Sequence, residues 1–199
     1  ARQQYTDILG NFNENLGAER QQNFMDYDFS FSGGDQFDLG PYNAAYNFAL
    51  TYKNKRDFYQ SAEFNTYGKP DDPSIYELEL RESRKGEYSK KNTLLGGLGG
   101  LSLKSKHSKY KFNILRLQKG IKKAGFYDVK NQNEGSVYQA EQHNLTFSQR
   151  SLTNVLLSGD HYLSGGDWEL DWEVSPTFSK MEDPDVRYTR LRRQDIGSE

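Results

Sequence analysis

From Trp168 to Lys180 the chain reads WELDWEVSPTFSK, with apolar and polar residues in strict alternation. Trp168, Leu170, Trp172, Val174, Pro176 and Phe178 share one parity, and Glu169, Asp171, Glu173, Ser175, Thr177 and Ser179 share the other. Successive side chains of a strand point to opposite faces, so this segment has one apolar face and one acidic, hydroxylated face. The same period recurs in Met25–Phe31, Ala44–Tyr52, Tyr76–Leu80, Leu95–Leu103, Tyr110–Ile114 and, with one shared parity, Leu145, Phe147, Val155 and Leu157. It predicts strands over roughly residues 21–34, 42–61, 75–104, 108–127, 136–163 and 167–181. No helical period competes, apart from a short helical or coiled stretch expected at residues 5–15.

The connections alternate in kind. GDQFDLGPY, KSKHSKY and LSGGDW are short and turn-like, whereas the links around residues 64–74 and 128–135 are longer and polar. MEDPDVRYTRLRR is expected to leave the last strand as a further excursion. Short turns on one side and long loops on the other are the layout of an outer-membrane β-barrel. Its lipid-facing band needs only about 9–11 residues per strand, so longer strands project beyond the membrane as a hydrophilic extension.

An open sheet edge cannot face hydrocarbon, and about eight strands is the smallest such barrel, so six strands imply an arc of something larger. The expected fold is therefore all-β, an antiparallel up-and-down meander, with residues 1–199 a partial outer-membrane β-barrel domain. Trp168, Leu170, Trp172, Val174 and Phe178 are expected to face the membrane, Trp168 in the aromatic girdle beside a short turn. The alternative is a soluble sheet with this face on a core, a β-rich binding or structural module with an aromatic packing or carbohydrate-binding face.

Composition fits a chain that alternates instead of running apolar. Only 34% of residues are hydrophobic and mean hydropathy is -0.95, yet 14 Tyr, 12 Phe and 2 Trp argue against disorder. A net charge of -2 gives no field for nucleic acid. The absence of cysteine excludes disulfides, thiolate metal sites and a Cys nucleophile, and His107, His143 and His161 lack metal-ligand spacing. There is no apolar run of about 18 residues for a membrane helix. The chain begins at Ala1 in polar sequence without a signal peptide, which suggests a mature or excised segment.

Several motifs read as structure. LGGLGGLSL at 95–103 lacks the following helix of a phosphate loop, and its glycines are expected at a bend or bulge. GKPDDPS and KMEDPD cluster carboxylates without the spacing of a calcium loop, so they read as turns. Asn144-Leu145-Thr146 matches a glycosylation acceptor, but within a strand. No nucleophile–base set can be assembled, so no enzyme activity, cofactor or metal is expected. The basic clusters Lys53–Arg56, Lys104–Lys109, Lys119–Lys123 and Arg187–Arg193 read as solvated surface or contacts to lipopolysaccharide phosphates. Tyr59, Tyr67, Phe126, Tyr127 and Tyr188 fall near the external strand ends, where they could stack on a sugar or siderophore.

At residues 150–192 the chain resembles the barrel of TonB-dependent outer-membrane receptors. Arg150, Ser151, Leu152, Asn154, Leu156, Gly159 and His161 match that family's strand before a tight turn. Trp172, Ser179, Pro184, Asp185 and Arg187 match the returning strand and its external segment. FMDYDFSFSGGDQF and YNAAYNFALTYKNKRDFY look like an earlier hairpin of the same barrel. The resemblance implies a 22-stranded barrel around an N-terminal plug, in the outer membrane of a Gram-negative bacterium. It implies uptake of a bulky nutrient (siderophore, glycan or peptide) with energy from the inner membrane. The implied partners are outer-membrane lipid, the rest of the barrel and plug, an energy-coupling protein and a surface lipoprotein.

Overall fold

The computed structural model describes residues 10, 15–22, 24–133, 136–163 and 167–193, so the stretch at 5–15 lies almost wholly outside the described residues. The strands are β1 (Tyr27–Leu39), β2 (Tyr42–Gly68), β3 (Glu79–Lys104), β4 (Ser108–Asn133), β5 (Ser136–Leu163), β6 (Trp168–Val174) and β7 (Thr177–Arg193). They form one antiparallel up-and-down sheet in sequence order, with β6 and β7 both on β5. The fold is all-β, and the meander matches the alternation. Among the described residues the sheet is not closed: β1 is one edge and the β6–β7 line the other.

Several boundaries differ from the periodicity, the first being that β1 starts at Tyr27 and not near residue 21. β1 continues to Leu39, because Gly40 and Pro41 alone make the turn. Gly40 has φ +63°, which the first position of a two-residue hairpin turn needs, and Pro41 supplies a fixed negative φ next. β2 runs on to Gly68, while β3 starts only at Glu79, leaving Tyr76 and Leu78 in the loop. The link expected at 128–135 is mostly strand, paired from Asp128↔Glu141 to Asn133↔Ser136. Polar sequence there still alternates: Val129 and Asn131 are buried on one face, while Asp128 and Lys130 point to the other.

The excursion expected after Lys180 is also strand. Leu157 faces Val174 and Asn154 faces Thr177 in unbroken register, so β6 and β7 are one line interrupted at Ser175–Pro176. Pro176 has no N–H for the ladder, which an edge strand tolerates. Its carbonyl still accepts from the Val155 N–H at 3.1 Å. The glycines of LGGLGGLSL lie in a regular ladder, without the expected bulge. The register shifts fall elsewhere.

Those shifts decide which side chains meet. Between Tyr59 and Ala62 one extra residue enters β2, and another enters β7 opposite Ser148. A one-residue slip exchanges the two faces. On β2 it turns Phe64 onto the face that carries Tyr88 and Tyr127, with ring centroids 6.3 and 5.6 Å away. On β7 it turns Arg190 to the same face. There its Nη1 donates to Glu82 Oε2 on β3 at 3.0 Å and to the Tyr138 hydroxyl at 2.9 Å. A flat sheet would separate β3 from β7 by about 14 Å. One guanidinium bridges that span only where the sheet curls toward it, so this face is concave.

The core lies on this concave face, in the upper half away from the short turns. Tyr127, Val129 and Ala140 are buried, with Ala62, Tyr88 and Tyr138 packed around them. Burial pushes the Tyr127 phenol above its ordinary pKa, as it does that of Tyr88. A raised phenol pKa leaves stability intact below the unfolded value of about 10 and removes it as pH rises toward the folded one. Tyr127→Phe is therefore expected to move the alkaline unfolding midpoint upward. Circular dichroism titrations of the two proteins between pH 9 and 12 measure it, on the interval set by that reference pKa.

Candidate functional site

Below the core, the opposite, outward face is apolar across the whole sheet. On β2, β3 and β5 the band covers residues 44–52, 95–103 and 155–163, nine positions each, and it adjoins the short turns. Registers align Tyr46, Leu101, Phe112, Leu157 and Val174 in one row, and Phe37, Ala44, Leu103, Tyr110 and Trp172 in the next. Among the described residues nothing covers this face: Leu101 is 60% exposed, Leu50 56% and Trp168 71%. Between the rows lies an apolar groove of about 480 Å³ lined by Phe37, Tyr46, Leu101, Phe112 and Leu157. Asp35, Arg116 and His161 are the polar exceptions. Arg116 sits at the upper edge of the band, where it donates to Thr153 Oγ1.

Trp168, Leu170, Trp172, Val174 and Phe178 all lie on this outward face. Trp172 lies over Gly159, its pair on β5, where an added Cβ would come within 2.6 Å of the indole. Its Nε1–H donates to His161 Nε2 at 2.9 Å, and His161 Nδ1 lies 3.0 Å from Ser108 Oγ. An indole N–H only donates, so Nε2 accepts and the neutral ring carries its proton on Nδ1. The imidazole therefore donates to Ser108 and does not draw a proton from it. Gly159→Val is expected to push the indole off its seat and cost about 1–3 kcal/mol, the usual penalty of overpacking. Trp fluorescence and the denaturation midpoint would register both effects.

The five candidate ligand aromatics do not converge. Tyr59, Tyr127 and Tyr188 lie on the concave face, and Tyr67 and Phe126 on the outward one, Phe126 against His143 at 4.9 Å. Tyr127 is a core residue, 3% exposed, while Tyr67 and Tyr188 are 54% and 67% exposed. Tyr59 stacks on Tyr88 at 6.1 Å. The periodicity did not single out the polar network beside them. Arg190 binds Glu82, Tyr138 and Gln142 together, and Asn131 and Arg190 hold the Tyr138 phenol below its ordinary range. Arg190 in the final RYTRLRR run was the only sequence signal for it.

Four of the five carboxylates in the two acidic stretches are occupied locally. Asp72 accepts the Ser74 N–H and hydroxyl at 2.9 and 2.7 Å, which lowers its pKa. Asp183 accepts from Ser148, Glu182 pairs with Lys180, and Asp185 with Arg187. Both stretches act as structural joints.

Fold and faces together define a class: a long-stranded antiparallel meander with a polar, core-bearing concave face and an uncovered apolar outward band. No family model and no curated protein matches the chain.

Proposed function

We propose that these residues form an arc of an outer-membrane β-barrel, as part of a TonB-dependent transporter that takes up a bulky nutrient without covalent chemistry. The observation that carries the barrel reading is the nine-position apolar band, outward-facing, uncovered and ending at the short turns. Its height fits the roughly 9–11 residues of a membrane-crossing strand.

The band also slants. Tyr27 at its upper edge on β1 is level with Gln149 on β5, six residues above Val155, where the band stops. That is a drop of about 20 Å over four strand spacings totalling about 19 Å. Strands tilted by about 35–45° in a barrel produce such a slope. The two open edges require further strands for closure in lipid. The transporter assignment rests on the resemblance at residues 150–192, and the concave face would line its lumen.

Asp35 and Arg116 favour the second reading, a soluble β-rich module whose apolar face binds a partner or carbohydrate. Fractionation of source cells, with mass spectrometry of peptides from 150–192 and of the intact polypeptide, separates the two. Recovery in outer membranes, on a polypeptide much larger than 23.0 kDa, is the expected result. A free chain of that mass in the soluble fraction would contradict the proposal.

A further inference from the structure

Two lysine pairs, Lys90-Lys91 and Lys122-Lys123, oppose each other across β3 and β4, Lys90 facing Lys123 and Lys91 facing Lys122. Arg56 on β2 faces Lys91 in turn, so Arg56, Lys91 and Lys122 stand side by side on the outward face. Neighbouring strands lie about 5 Å apart, and like charges placed directly opposite destabilise a sheet. Among the described residues, none of these three side chains makes an ion pair.

The nearby carboxylates are engaged elsewhere: Glu87 holds Arg20, Asp185 holds Arg187, and Asp26 accepts the Arg56 backbone N–H at 2.8 Å. The Arg56 guanidinium donates to the Phe24 carbonyl at 2.7 Å. On the concave face the row of Asp57, Lys90 and Lys123 includes one carboxylate, that of Asp57, which pairs with Lys55 at 3.3 Å. From Arg56 to Lys122 the outward row holds three cations in succession and no carboxylate.

Its height matters. Arg56 and Lys91 lie four residues above Tyr52 and Leu95, which top the apolar band on β2 and β3. That is about 13 Å along the strand and, with a tilt near 45°, about 9 Å of height. The headgroup layer is roughly 5–8 Å deep on each side of the hydrocarbon. Lysine and arginine stems bend back by several ångströms, so the charges reach the level of lipid phosphates. Between Lys91, Lys122, Leu145, Phe147 and the Asp185–Arg187 pair lies a hollow of about 230 Å³. The Lys122 ammonium stands 5.6 Å from the Phe147 ring centre, an apolar wall beside the cations.

We infer that the Arg56–Lys91–Lys122 row binds the phosphate groups of an acylated lipid in the leaflet around the barrel. This rests on the membrane placement proposed above, and the lipid phosphates supply the counter-charge that these three cations lack.

The test uses the full polypeptide extracted from membranes in a mild non-ionic detergent. Native mass spectrometry counts retained lipid after addition of a diphosphorylated acyl glycolipid, or of the same lipid with its phosphates removed. Each basic side chain near a lipid surface contributes about a 5-fold factor, so K91Q/K122Q is expected to reduce retention of the phosphorylated lipid roughly 10- to 30-fold. The opposite-face control K90Q/K123Q is expected to stay within about 2-fold, because its charges point away from the leaflet. Equal retention by K91Q/K122Q and the wild type, or an equal loss in the control, would overturn the inference. A wild type that sits in the outer membrane but does not distinguish the two lipids overturns the phosphate site alone. A wild type absent from membranes overturns the barrel reading with it.

Discussion

On the proposed barrel reading, Leu50→Arg and Leu101→Arg are each expected to lower stability in a bilayer by about 2–4 kcal/mol, the cost of a cation on a lipid face near mid-bilayer. Ser32→Arg and Asn47→Arg, at similar heights but on the concave face, are expected to change it by no more than about 0.5 kcal/mol. The contrast comes from solvent, not from packing. Leu50 and Leu101 are more than half exposed. In water, arginine at such positions would be nearly neutral, because the surrounding side chains make few contacts to lose. In lipid, the same exposure is what makes the charge expensive. Urea unfolding of the protein in bilayers, followed by the gel-mobility difference between folded and unfolded forms, measures all four variants. Equal, small effects on both faces would place the outward face in water.

Tyr127→Ala is expected to cost about 3–5 kcal/mol, the range for removing a buried aromatic ring. Tyr127 is 3% exposed, meets Phe64 edge-on at 5.6 Å, and folds its ring back over Gly125. Among the described residues few other side chains are fully buried, so little material could collapse into the cavity. Phe64→Ala should be less costly, since Phe64 is 43% exposed. Because both substitutions lie above the apolar band, they should loosen the upper sheet without expelling the protein from membranes. Hydrogen exchange in β3 to β5 would show faster opening near Tyr88, Val129 and Ala140 than near Leu101 and Leu157. Uniform acceleration along the strands would contradict two separately stabilised halves.

The lower half of the sheet was legible from alternation. Every expected apolar partner there, from Phe29 and Leu50 through Leu103 and Phe112 to Trp172, falls on one face because the ladder below Tyr59 keeps its register. Above it, parity fails for a physical reason. An extra residue in β2 and another in β7 exchange the faces, so Phe64 and Arg190 meet partners that no fixed period predicts. The same limit hid the strand from Met181 to Arg193: Pro184 sits where the register slips, and a bulge accommodates a residue without an N–H.

Tyr127 illustrates the other difficulty. As one tyrosine among polar residues near a strand end, it had the sequence signature of a ligand contact. Its burial depends on Phe64, which arrives only through the bulge. The cationic row was visible as two separate lysine pairs, but their opposition needed the β3–β4 register.

The absence of cysteine from the chain makes a face-by-face measurement straightforward. Single cysteines at 50, 101, 112 and 157, and at 47, 102, 113 and 158, would be exposed to a membrane-impermeant maleimide in intact outer membranes and again after detergent denaturation. The barrel account predicts protection of the first set, reaction of the second where the lumen admits the reagent, and reaction of both after denaturation. Reaction of positions 50, 101, 112 and 157 in intact membranes, at the rate seen after denaturation, would show that the outward face meets water and contradict it.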